Sequence, residues 1–291
     1  MIPNNNFSVL PFYESIEQQN ARKWWTYGRV YPLFCKAGFL LPFQIITPHT
    51  SWNISTIRPV QIINANTGQF VADITDEIRA GITKREFASL GYDVWVFPGQ
   101  MPVIDSLPNG RYYLLFVFGY AFYSEIFTVV NDIEPYLKIT WWDEQDFTMD
   151  AGTIVYTNPS FKNVLYLKAD LAKPEYPFEE EGENRDGYFF PTKQISEKRY
   201  RFAFLASEYL LDVMRFIRMA DHAQIEYHGQ TYNLDTFLIT PEWESNGDVA
   251  AVQAEFDTAT VAKKINIGSG AIPVQRGDFN NDFNNDFNNQ Q

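Results

Sequence analysis

A chain of 291 residues with 45% hydrophobic side chains carries enough apolar surface for a sizeable core and is long enough for two domains. Its net charge of −13 disfavours a role in gripping nucleic acid, which needs clustered Lys and Arg, yet an acidic surface still lets DNA pass without sticking. A single cysteine, Cys35, excludes an intramolecular disulfide framework and a Cys-rich zinc site.

Residues 1–38 read as an N-terminal arm. The opening Met1-Ile2-Pro3-Asn4-Asn5-Asn6 has neither the basic nor the apolar region of a secretory signal, so a soluble protein made inside the cell is expected. Pro3, Pro11 and Pro32 interrupt any long regular element. Between them, Tyr13 to Trp25 is expected to form a short helix ending in Trp24 and Trp25, candidate anchors for a protein interface. Packing of the arm on its own domain and embrace of a neighbour are both open.

Residues 39–133 alternate short apolar runs with turn residues, the pattern of an antiparallel β-sandwich. Strands are expected at Phe43–Ile46, Val60–Ile63, Asp93–Phe97 and Arg111–Phe118, the last paired in a hairpin with Tyr123–Val130. Pro98-Gly99 and Leu107-Pro108-Asn109-Gly110 supply turns, and Ile74–Ala88 is expected to hold a helical turn. The apolar runs are strand-length and too short to cross a bilayer.

Residues 134–265 read as a second β domain that carries one helix, so the fold class is mainly β with an α+β second half. Strands are expected at Tyr136–Trp142, Val164–Ala169 and Lys198–Phe204. Leu210, Val213, Met214 and Ile217 fall at i, i+3, i+4 and i+7, one stripe of a helix, with Ser207 placed to cap it and Arg215 and Arg218 near its negative end. His228-Gly229 suits a primed two-residue turn, and Ala250, Val252, Ala254 and Phe256 alternate as a half-buried strand should. Phe178–Gly187, with Glu179, Glu180 and Glu181, reads as an acidic solvated loop that offers a socket to a basic partner.

Residues 266–291 are low in complexity and poor in aliphatics, as expected of a flexible tail. The unit Asp278-Phe279-Asn280-Asn281 recurs at Asp282 and Asp286, placing Phe279, Phe283 and Phe287 at a helical spacing that suits docking to a partner.

Catalytic patterns are thin. No Gly-rich phosphate loop, nucleophile elbow or paired helical histidines occur, and His49, His222 and His228 suggest no metal cluster. No metal, cofactor or enzymatic activity is expected. Asp143, Glu144, Asp146 and Asp150 follow Trp141-Trp142, so two readings outside a structural role arise there. One is a carbohydrate-binding module in which Trp141 and Trp142 stack on sugars; the other is an acid/base glycosidase built on Asp143 or Glu144.

Four strings carry a resemblance: Lys173-Pro174-Glu175-Tyr176, Glu179-Glu180-Glu181-Gly182, Asp186-Gly187-Tyr188-Phe189-Phe190-Pro191-Thr192-Lys193 and Glu197-Lys198-Arg199-Tyr200-Arg201-Phe202. Together with Leu107–Tyr113 and Tyr123–Val129 they resemble virion proteins of crAss-like phages and prophages of Bacteroidetes, over roughly residues 40–265. The resemblance implies a homo-oligomeric ring subunit of the tail or head–tail connector, located in the virion after assembly in the host cytoplasm. The implied partners are the portal and adjacent tail rings, with DNA passing through unbound, no membrane and no catalytic residue. Trp24, Trp25, Glu179, Glu180, Glu181, Phe279, Phe283 and Phe287 are the expected contact residues.

Overall fold

The computed structural model of the chain describes residues 8–17, 33–50, 52–99, 107–145, 147–148, 154–155, 161–243, 249–258 and 262–265. The fold is mainly β, as expected, built from several sheets with the short helices α1 (Thr75–Gly81) and α2 (Glu208–Met214). Two compact units form: Met1–Glu175 with Lys198–Thr260, and Tyr176–Glu197 with Val261–Gln291. The division expected at 133/134 falls inside the first unit, where one apolar cluster runs from Val9 to Phe256. Phe34 and Tyr136, on either side of that expected boundary, have ring centroids 4.7 Å apart.

The first unit is anchored by a seven-stranded sheet of β1 (Phe12–Tyr13), β2 (Leu33–Lys36), β4 (Val60–Asn64), β5 (Phe70–Asp73), β8 (Gly110–Phe118), β9 (Tyr120–Ser124) and β10 (Phe127–Val130). The predicted partner of β8 is there, but it is broken into two strands, with Phe116 opposite Phe122 and Tyr112 opposite Phe127. Side chains take over the hydrogen bonding at the break. Leu114 N–H donates to Ser124 Oγ at 2.8 Å, Ile126 N–H to Glu125 Oε1 at 2.9 Å, and Tyr13 Oη to Glu125 Oε2 at 2.8 Å.

The described parts of the arm pack on this same sheet. β1 pairs antiparallel with β9, and β2 pairs parallel with β10. Tyr13 is therefore a strand residue and not the start of a helix; the rest of the expected helix, with Trp24 and Trp25, lies outside the described residues. α1 fills the interruption at 74–88 as expected and buries Ile78.

A three-stranded sheet of β3 (Phe43–Pro48), β6 (Thr83–Phe87) and β7 (Tyr92–Phe97) meets the seven-stranded one through aromatic rings. Phe43 of β3 lies 5.0 Å from Phe12 and 6.2 Å from Phe116, and it stacks on Phe97 at 5.0 Å. Both faces of β3 and β7 are buried, and Asp93 is the one charged residue buried on them. Its side chain is buried, with Thr50 N–H at 3.0 Å, His49 Nδ1 at 2.7 Å and Lys84 Nζ at 3.1 Å. Burial pushes its carboxyl pKa up, but the donors from His49, Thr50 and Lys84 outweigh burial and hold it below the ordinary carboxylate value.

A four-stranded sheet joins β11 (Leu137–Trp142), β14 (Asn163–Leu167), β18 (His222–Tyr227) and β19 (Gln230–Asn233), and β12 (Phe147–Thr148) pairs with β13 (Ile154–Val155). His228 and Gly229, at φ 47° and 74°, make the predicted primed turn between β18 and β19. A further sheet orders β17 (Arg199–Ser207), β21 (Val249–Asp257) and β20 (Leu238–Trp243), with Ala250, Val252, Ala254 and Phe256 all buried. α2 follows β17 directly and buries the predicted Leu210, Val213 and Met214, with Ile217 buried in the 3₁₀ turn beyond. Ser207 makes no side-chain cap, because it is still a ladder residue paired with Val249.

The second unit is a three-stranded sheet in the order β15 (Phe178–Arg185), β16 (Tyr188–Ser196), β22 (Ala262–Ile265). The acidic stretch expected as a loop is thus a strand. Asp186 and Gly187, at φ 50° and 83°, form the tight turn that folds it onto β16.

Phe43→Ala should cost about 3–5 kcal/mol, read as a fall in the denaturant midpoint. Asp93→Asn should lower the melting temperature at pH 7 by several degrees. A depressed folded pKa contributes stability above the unfolded value of about 3.9 and loses it as pH falls through the lower folded value. The gap between wild type and variant should therefore close on acidification; a gap independent of pH would contradict the ion-pair account.

Candidate functional site

The β15–β16 hairpin concentrates groups that a folded chain ordinarily hides. Tyr188 is 73% exposed, Phe178 59%, Phe190 50% and Phe189 49%, and Tyr176 and Ile265 are also exposed. Aromatic clustering of this kind on a small sheet marks an interaction surface. Between these rings, β15 carries the acidic run. Glu181 pairs with Lys193 Nζ at 2.9 Å and Glu180 accepts from Gln194 Nε2 at 2.6 Å, so cross-strand partners on β16 hold the carboxylates in rows.

The hairpin has a built-in irregularity. Its register shifts between Glu181 and Gly182, the signature of a bulge, which bends and twists a strand. A Cβ at Gly182 would lie 2.3 Å from the Phe190 carbonyl oxygen and 2.7 Å from the Phe189 ring. Only glycine lets the two strands approach there, and that approach seats the Phe189 ring.

β22 adds the opposite charge. Lys263 lies opposite Ile195 and Lys264 opposite Gln194, so the sheet runs from Glu on β15 to Lys on β22. Sequence reading selected Glu179, Glu180 and Glu181, and the structure brings all three onto one strand. It missed Lys193, Lys263 and Lys264, whose signal was the Asp186-Gly187 turn that reveals a sheet here. Phe279, Phe283 and Phe287 lie outside the described residues.

The other candidates of the sequence resolve differently. Trp141 is 1% exposed in the core, while the Trp142 ring stacks on His222 at 5.1 Å and has Lys162 Nζ 3.8 Å from its centroid. Adjacent residues on a strand face opposite sides, so the pair forms no sugar platform. Asp143 is buried and accepts from Asp221 N–H at 3.0 Å, and Glu144 meets His222 Nε2 at 3.2 Å. Burial, assisted by Asp221, pushes the Asp143 carboxyl up against the opposing pull of the Asp221 N–H and His222. These bonds tie the end of β11 to the start of β18. Asp146 and Asp150 lie outside the described residues.

A cavity of about 380 Å³ is lined by Cys35, Phe39, Leu41, Lys138 and Tyr166, among others. Burial pushes the Cys35 thiol up to about 12, so it holds its proton at neutral pH and is no nucleophile. Lys138 is already paired with Glu226 at 2.8 Å. Among the described residues no group of three or more His, Cys, Asp or Glu is placed to hold a metal ion, and no helix is long and apolar enough to cross a membrane. No family model matches this chain, and no curated protein matches it.

Gly182→Ala should speed hydrogen exchange of the amides in 178–196 while leaving those of β17 and β21 protected. Unchanged exchange in the hairpin would show that the close approach at Gly182 is dispensable.

Proposed function

We propose that this chain is a structural protein of a bacteriophage virion, a ring-forming subunit of the tail or head–tail connector. The observation that carries the proposal is the β15–β16 hairpin, which holds exposed aromatic rings beside an acidic strand. Three of the strings that resemble crAss-like phage virion proteins, from Glu179 to Lys193 and onward from Glu197, fall on or beside this hairpin.

The physical case is one of surface economy. Exposed Tyr188, Phe189 and Phe190 are costly on an isolated subunit, whereas burial against a neighbour contributes about 25 cal/mol per Å² of apolar area. A net charge of −13 repels phosphates, so a ring of such subunits lets DNA travel through without adhering. The partners of this reading are further copies of the chain, the portal and the adjacent tail rings. The chain has no catalytic role in it.

Immunogold electron microscopy of purified particles, with antibody raised against the full chain, tests the reading. Label confined to the neck or tail is expected. Particles without label, with the antigen left in the lysate, would overturn it.

A further inference from the structure

Among the described residues, the second unit's sheet has two edges of opposite charge. β15 is one edge strand and carries Glu179, Glu180 and Glu181; β22 is the other and carries Lys263 and Lys264. Each row across the sheet repeats the asymmetry: Glu180–Gln194–Lys264 on one face, and Glu179–Ile195–Lys263 on the other. Charged residues on an edge strand usually keep sheets apart. That protection requires both edges to repel whatever approaches, and here they repel only their own kind. Two β15 edges bring glutamates together and two β22 edges bring lysines together, both unfavourable, whereas β22 against β15 opposes unlike charges.

We propose that β22 of one copy adds to β15 of the next, so that copies of this chain join head-to-tail into a continuous sheet. The occupant of each edge is therefore a second copy of this chain. β15 and β22 both run antiparallel to β16, so they are parallel to each other, and a rotated copy presents its β15 parallel to β22. In the register that the sheet itself carries, Lys264 meets Glu180 and Lys263 meets Glu179 of the neighbour. The contact is heterologous, the class that closes into a ring when the rotation per copy divides a full turn. The inference rests on the ring-subunit reading for its closure, but the edge pairing stands on the charges.

The test uses the full chain. With Glu180→Cys and Lys264→Cys in one chain, oxidation should give a ladder of disulfide-linked multimers, since neighbouring strands lie about 4.8 Å apart, within disulfide reach. Buried Cys35 does not compete. In the background of Lys263→Glu or Glu179→Lys alone, ladder yield should fall roughly tenfold, and combining both reversals should restore it. No ladder, or a ladder indifferent to the reversals, overturns the edge pairing. Negative-stain images separate the two ideas: closed annuli that survive the reversals keep the ring and remove this contact, while charge-dependent open chains keep the contact and remove the ring.

Discussion

Every open sheet ends in a row of backbone N–H and C=O groups that need partners, and the disposal of these edges governs most of this structure. The central strands β8, β9 and β10 of the large sheet are flanked by segments from the N-terminal arm, β1 on one side and β2 on the other. The arm thus contributes edge strands to its own sheet, and it is ordered there by ladder hydrogen bonds and by the Phe12 ring against Phe43 and Phe116. The second unit handles its edges in a different way, with unlike charges on β15 and β22. One solution extends a sheet with strands from the chain's own arm; the other leaves edges whose charge suits an outside strand of opposite sign.

Burial and exposure of aromatics follow the same division. In the first unit Phe43, Phe97, Phe116, Trp95, Trp141 and Phe256 are fully buried, where each contributes a large apolar area and defined ring geometry. On the hairpin the rings sit outward, beside Glu180, hydrogen-bonded to Gln194, and Glu181, ion-paired with Lys193. Polar rows with aromatic ends resemble the composition of a protein–protein contact more than that of a core. The bulge beside Gly182 belongs to this arrangement: Thr192 is the extra residue on β16, and beyond it Phe190 lies opposite Glu183 and Phe189 opposite Asn184.

Local patterns were legible in the sequence, and long-range ones were not. The alternation through Ala250–Phe256, the stripe Leu210–Ile217 and the His228-Gly229 turn each rest on near neighbours, and each appears in the fold. Glu179–Glu181 reads as a loop because glutamate is a poor strand former, a propensity that cross-strand partners override; the Asp186-Gly187 turn was the clue to the hairpin. Trp141 and Trp142 could have been separated by strand parity alone. The parallel pairing of β2 with β10 and the ring contact of Phe34 with Tyr136 join residues roughly a hundred positions apart, and no local pattern announces them. The same is true of the merging of two expected domains into one core, and of the approach of Lys263 and Lys264 to the hairpin.

The central claim is that this chain is a virion ring subunit. Quantitative mass spectrometry of purified phage particles tests it most directly, with peptides of this chain measured against those of the portal protein. The account predicts a fixed, reproducible ratio that matches a closed ring at the neck or tail. Absence of the chain from clean particles, or a ratio that varies from one preparation to the next, would contradict it.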